Sequence, residues 1–234
     1  MPLAELNQPN PPQKPKSPQF VGFLIFAVLG LAMGTVAEEI RWRISATNPS
    51  NQMALAKGDA KAGDYSAAIT IFDSLAKQGN PLAQYWVAHM NELGLGVTRD
   101  PAKAIEFYKK AAAQDTSAAD LRLGEIYLHG NLVLPDFAQA RSYLEKAAYH
   151  GEPRAAMLLG QIYHDGIGVA ADPVDAYAWS EVATLEGSAF AQRDRDTSLH
   201  GLNEADQKAA IARAHEILKN IKSETTTVKP PLAK

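Results

Sequence analysis

The sequence predicts an all-α protein, an α-solenoid of antiparallel helix pairs preceded by one transmembrane helix. Three observations predict it. A set of columns recurs every 36 residues, the apolar side chains inside each copy fall at helical spacing, and an uncharged apolar run of 18 residues precedes the copies. A unit this short cannot bury its own apolar face, so it must stack on its neighbours to make a core.

Residues 1–18 contain "NQPNPPQKPKSP", whose prolines neither build helix nor bury a core, and are expected to be disordered. Residues 19–37 are expected to form a transmembrane helix or signal anchor, with residues 20–37, "FVGFLIFAVLGLAMGTVA", carrying no charge. Eighteen residues of helix span roughly 27 Å, enough to cross a hydrocarbon core of about 30 Å. The small residues before Glu38 are compatible with signal-peptide cleavage, but the run is longer than a signal h-region, which favours an uncleaved anchor. Lys14 and Lys16 before it and Arg41 and Arg43 after it leave the orientation nearly undetermined. Gly30 and Gly34 form a GxxxG pair through which two such helices could meet as a homodimer.

After a linker at 38–50, a first repeat is expected at 51–80, in which "AGDYSAAITIFDSLAKQGN" reads as the second half of a fourth, shorter copy, and three full copies of a helix pair follow at 81–116, 117–152 and 153–188. Asp100, Asp136 and Asp172 are separated by 36 residues each, and the same shift relates Ala88, Gly124 and Gly160. It also relates Gly94, Gly130 and Gly166; Ala104, Ala140 and Ala176; Phe107, Tyr143 and Trp179; and Ala111, Ala147 and Ala183. In "PRAAMLLGQIYHDG" the residues Ala155, Leu158, Leu159, Ile162 and Tyr163 share one helical face. Alanine and glycine columns admit close helix approach, and the column of Phe107, Tyr143 and Trp179 reads as packing. Capping helices are expected over 189–222, with Asn203 as N-cap and Ile211, Ala214, Ile217, Leu218 and Ile221 as one apolar stripe. Residues 223–234 lack a stripe and are expected to be disordered.

The copies "AADLRLGEIYLHGNLVLPDFAQARSYLEKAA" and "RAAMLLGQIYHDGIGVAADPVDAYAWSEVAT" resemble the Sel1-like repeat, a longer-looped relative of the tetratricopeptide repeat. The copy at 51–80 is similar to a tetratricopeptide repeat. Ala88, Asn91 and Leu132 depart from the pattern. The resemblance implies a right-handed superhelix that serves as a protein-interaction scaffold, in bacteria often in the cell envelope. By the same analogy a concave groove would bind a protein or peptide through Tyr85, His89, Glu92, Leu121, Glu125, Leu128, Met157, Gln161 and His164.

Nothing in the sequence points to catalysis. The stretch "HDGIGVAADP" looks at first like a phosphate or metal loop, but its counterparts "LGLGVTRDP" and "HGNLVLPDF" make it a recurring turn. Gly166 is placed to end one helix, Asp172 to cap the next and Pro173 to open it, with Gly168 easing a path that Leu132 manages without glycine. No pair among His89, His129, His150, His164, His200 and His215 has the spacing of a zinc helix, and His164 and Asp165, being consecutive, are expected to diverge. No nucleophile elbow, phosphate loop or dinucleotide fingerprint occurs. With no cysteine, thiolate metal sites and disulfides are excluded, and a net charge of −3 gives no footprint for nucleic acid.

The sequence is therefore expected to encode a non-enzymatic adaptor without catalytic, cofactor or metal site. It would contact the lipid bilayer through residues 20–37, with its repeats on the periplasmic side of the inner membrane. A secreted or periplasmic chain after cleavage is the alternative location. An accessory factor or weak hydrolase acting on peptidoglycan is the alternative function.

Overall fold

The computed structural model describes residues 48–188 and 190–227. The apolar run at 20–37, with Gly30 and Gly34, lies outside them; among the described residues no helix is long and apolar enough to cross a membrane. Ten helices and no strand are described: α1 (Pro49–Ala62), α2 (Tyr65–Lys77), α3 (Pro81–Leu93), α4 (Pro101–Ala112), α5 (Ser117–His129), α6 (Phe137–Tyr149), α7 (Pro153–Asp165), α8 (Pro173–Leu185), α9 (Ala191–His200) and α10 (Glu204–Thr227). They fall into two compact units, Met1–Arg99 and Asp100–Lys234.

The aspartate column works as a row of N-caps. Asp64, Asp100 and Asp136 accept from the backbone N–H three residues on, at 3.1, 3.0 and 3.0 Å, and Asp172 accepts from Val174 and Asp175 at 2.9 and 3.1 Å. Each bond satisfies an amide that the first helical turn leaves without a partner. These bonds hold the Asp64 and Asp136 carboxyls below their ordinary range. At the other end Gly94, Gly130 and Gly166 stop α3, α5 and α7 with φ of 73°, 68° and 69°. The recurring loop is thus a helix stop followed by a helix start.

In the first unit α2 packs against both α1 and α3. Phe72, Leu75 and Val87 are fully buried between them, and Trp86 stacks on Phe72 with centroids 5.5 Å apart. In the second unit α5 pairs with α6 and α7 with α8, each pair stacks on the next, and α9 and α10 close on α8. One cluster of buried side chains runs through it, including Leu144, Leu159, Ile162, Trp179 and Val182, and ends on Ile217 and Ile221 of α10.

Within a pair the helices meet at the glycine column. A Cβ on Gly124 would lie 2.6 Å from Leu144 Cδ2, and one on Gly160 would lie 2.5 Å from Ser180 Oγ. The aromatic column is less uniform than its sequence suggests. Trp179 is buried, with Tyr149 edge-on at 5.7 Å, whereas Tyr143 stacks on Tyr127 at 5.9 Å and Phe107 lies half-exposed with Lys110 Nζ 4.6 Å from its ring.

Three sequence expectations are corrected. Ile211 is 41% exposed, and the buried stripe of α10 is Ala210, Ala214, Ile217 and Ile221, because the helix presents the alanine rather than the isoleucine to α8. That helix also continues to Thr227, into the tail expected to be disordered, since extending an established helix costs far less than starting one. Thirdly, Gly168 is not dispensable. Its φ is +68°, and a Cβ there would sit 2.3 Å from Phe137 Cβ at the start of α6. Leu132, at the equivalent position, does not adopt positive φ, so its loop takes another backbone path.

One buried acid stands apart. Asp120 of α5 is 1% exposed and its Oδ1 has no hydrogen-bond partner among the described residues. Burial pushes its carboxyl up to about 6, against the pull of Lys146 on α6 and of His150 just after it; Asp115 in the preceding turn pushes the same way as burial. The 36-residue shift places it level with Gln84 of the first unit, whose Nε2 donates to the Ala76 carbonyl at 3.3 Å.

Two stability measurements follow. Gly168→Ala is expected to lower the free energy of urea unfolding by about 2–4 kcal/mol, from the left-handed backbone and the clash together. Combined with Phe137→Gly, which removes the Cβ that the new methyl would meet, the double variant is expected to lose about 1 kcal/mol less than the sum of the single losses. For Asp120 the folded carboxyl holds its proton up to about pH 6, whereas an unfolded aspartate loses it near 3.8. Folded chains therefore bind more protons in that window, and stability falls as pH rises through it. Asp120→Asn is expected to raise unfolding free energy by about 1–3 kcal/mol at alkaline pH, and by much less near pH 4.

Candidate functional site

The nine residues expected to line a groove occupy equivalent places on the first helix of each copy. Their spacing of i, i+4 and i+7 keeps each trio on one helical face. Tyr85, His89 and Glu92 lie on α3, in the first unit. Tyr85 stacks on His89 with centroids 6.1 Å apart, and Trp86 meets both rings edge-on. Glu92 is only 4% exposed, so it presents little surface to a partner.

The other six residues lie in the second unit. Leu121 and Leu128 of α5 and Met157 of α7 are half-buried, resting on the core cluster with part of each side chain open to solvent. Glu125 between them is buried and doubly paired, accepting from Arg122 Nη1 at 2.7 Å and from Arg154 Nε at 2.5 Å. A carboxylate taken out of water needs such partners, so Glu125 is engaged in the scaffold rather than held ready for a ligand. Arg154 belongs to α7, and this bond therefore ties α5 to α7 and sets the two trios side by side.

Gln161 and His164, both exposed, carry the face of α7 into a cleft of about 260 Å³. Its walls come from three helices: Gln161, His164 and Asp165 of α7, Ser180 of α8, and Asp194 and Ser198 of α9. His164 and Asp165 do not diverge as their adjacency suggests. At the end of the helix the ring turns back, and Nδ1 lies 2.8 Å from Asp165 Oδ1, which places the proton on that nitrogen because the carboxylate can only accept.

The cleft exists because one column changes character. Tyr108 and Leu144 precede Ser180 at the 36-residue shift, and both are fully buried. In the earlier pair Leu144 covers Gly124 and fills the space beside it; in the later pair the smaller Ser180 covers Gly160 with its Oγ, and a cleft opens beside the two. The sequence reading passed over Ser180, Asp194 and Ser198, although a serine after tyrosine and leucine in a core column was a signal. A larger concavity of about 680 Å³ borders α9 alone, along Gln192, Arg193, Asp196, Thr197 and His200, and no second element converges on it. Among the described residues no three histidine or carboxylate side chains gather to hold a metal ion.

Comparison with known proteins gives these helix pairs a name. The family model described as Sel1 repeat matches residues 81–116, 117–152 and 153–188. The chain is similar to chitin synthase regulatory factor 3 of Schizosaccharomyces pombe, at 41% identity over 69 residues, which is 30% of this chain and 7% of that one. It is similar to human protein sel-1 homolog 2, at 35% identity over 81 residues, 35% of this chain and 12% of the relative. The chain thus spans a small part of these curated relatives.

Among solved structures, c5321, a protective antigen of uropathogenic Escherichia coli strains displaying an SLR fold, superposes with a TM-score of 0.69 at 27% identity, over 88% of this chain and 47% of that one. A Sel1 repeat protein from Oxalobacter formigenes superposes with a TM-score of 0.64 over 81% of each chain, at 24% identity, a likeness of fold alone.

Proposed function

We propose that this chain, which carries three Sel1 repeats, is an adaptor that binds a protein or peptide segment along α5 and α7. Sel1 repeat proteins are in general interaction scaffolds, and two of the matched relatives are named as regulators of chitin synthase, a role compatible with binding another protein. The observation that carries the reading is the row of half-buried apolar side chains Leu121, Leu128 and Met157, flanked by the Glu125–arginine pairs and leading to a polar cleft. Apolar anchors ringed by polar groups are what a segment needs to gain affinity without losing register. The scaffold holds those anchors in place beforehand, so ordering them costs little when the partner docks.

In this reading residues 20–37 tether the repeats to a bacterial inner membrane, with the repeats on its periplasmic side, and Gly30 and Gly34 admit a second copy's helix. The uncharged length of that run supports the tether. Confinement to two dimensions would raise the local concentration of adaptor near membrane-bound partners.

Photo-crosslinking in cells tests the binding face. A crosslinking side chain at position 128 or 157 is expected to give the same discrete protein adduct, and one at the exposed position 106 on α4 to give none. Leu121→Glu is expected to reduce the adduct about tenfold, the usual effect of losing one buried anchor. Adducts of equal yield from all three positions, or none from 128 and 157, would contradict the reading.

A further inference from the structure

The cleft between α7, α8 and α9 is built for a positive charge, and we infer that it receives the ammonium of a lysine side chain from the bound segment. The inference rests on the adaptor reading and names what one end of its groove recognises.

Its polar groups are unspent. Ser180 and Ser198 are 2% and 6% exposed, yet neither hydroxyl makes a hydrogen bond with any described residue, and the carboxylate of Asp194 has no partner among them either. The side-chain amide of Gln161 is likewise free. Both serines are buried but for the part that faces the cleft, so two hydroxyls without a protein partner, beside an unpaired carboxylate, are presented to whatever enters it. Thr197, by contrast, gives its hydroxyl to the Arg193 carbonyl at 2.9 Å.

The sign of the missing group follows from the lining. Two carboxylates, Asp165 and Asp194, face the cleft, the first accepting from His164 Nδ1 at 2.8 Å and the second unpaired among the described residues, and no lysine or arginine lines it. Asp165 also ends α7, so the negative end of that helix's dipole lies at the cleft wall. Of the two cations that flank Asp194 in sequence, Arg195 is held elsewhere by Asp196 and Glu181, at 2.7 and 3.3 Å, and Arg193 is exposed and borders the other concavity of α9, not this cleft.

The shape of the donor set chooses between cations. An ammonium carries three donors in a compact head on a slender stem, and can be met at once by a carboxylate oxygen and two hydroxyl oxygens from different helices. A guanidinium wants a flat, two-pronged acceptor, which serines on separate helices do not offer. A metal ion is disfavoured by the same walls, since no three histidine or carboxylate groups among the described residues gather around one point.

The repeat pattern shows that the cleft is local to this pair. At the shift of 36 residues Gln161, His164 and Ser180 correspond to Glu125, Leu128 and Leu144, so the preceding pair fills the same region with leucine and spends its acid on arginines. Lysine recognition is thereby confined to one end of the groove and gives the bound segment a direction.

The test titrates the isotope-labelled full-length chain with Nα-acetyl-lysine methylamide and follows its backbone amide resonances. Saturable shifts are expected at Gln161, Asp165, Asp194 and Ser198. Asp194→Asn is expected to weaken binding about tenfold and Ser198→Ala about threefold, each with the rest of the spectrum unchanged. The neutral isostere Nα-acetyl-norleucine methylamide is expected to cause no saturable shift. The inference is overturned if the lysine probe does not bind, if norleucine binds equally, or if Asp194→Asn binds like the wild type. Crosslinking at positions 128 and 157 without a response to the lysine probe would remove the cation site and leave the adaptor; the reverse would remove the adaptor and leave the site.

Discussion

Everything in the second unit depends on how closely the two helices of a pair approach. At Gly124 and Gly160 there is no room for a Cβ, because the facing helix already occupies its place. The partner column of Ala140 and Ala176 is fully buried for the same reason. Such contacts tolerate little change, since one added carbon in a close-packed core costs about 1–3 kcal/mol. The exposed aspartate caps fix where helices begin, but the small-residue columns fix how far apart they stand. That spacing decides what the residues on either side can reach, from the Arg154–Glu125 bridge to the floor of the cleft.

The cleft is a consequence of that spacing. With the backbones held close at Gly160, the residue at position 180 determines whether the region beside them is filled or open. Leucine at the equivalent position 144 fills it; the smaller serine at 180 covers Gly160 and leaves a cleft alongside. The third repeat therefore retains the glycine that makes room for a large neighbour while lacking that neighbour. Its walls are then supplied by α9, which is no longer part of the repeat pattern and contributes Asp194 and Ser198. The site arises where a regular array meets its cap, the place at which helix packing is free to depart from the repeat.

Much of the fold was legible because it depends on spacing. The 36-residue period located the helix pairs, and the aspartates, prolines and glycines marked their ends. Where the sequence reading failed, the deciding fact was a contact between distant residues. By pattern Gly168 is as replaceable as Leu132, but Phe137 lies against it. Ile211 looked like core because it is large and apolar, yet rotation of α10 buries Ala210 instead. Of the candidate groove residues, the pattern could place all nine on helical faces but could not tell which acids were already taken. Glu125 is claimed by an arginine 29 positions away, whereas Asp194, with no sequence motif to announce it, is unclaimed.

The central claim is that the cleft left beside Ser180 serves binding and contributes nothing to packing. Ser180→Leu tests it most directly, by restoring the side chain that the preceding repeat carries. The account predicts an unfolding free energy equal to the wild type or higher by about 1–2 kcal/mol, from the leucine surface removed from water, together with complete loss of the response to Nα-acetyl-lysine methylamide. A variant that is less stable than the wild type, or that still binds the lysine probe, would contradict it.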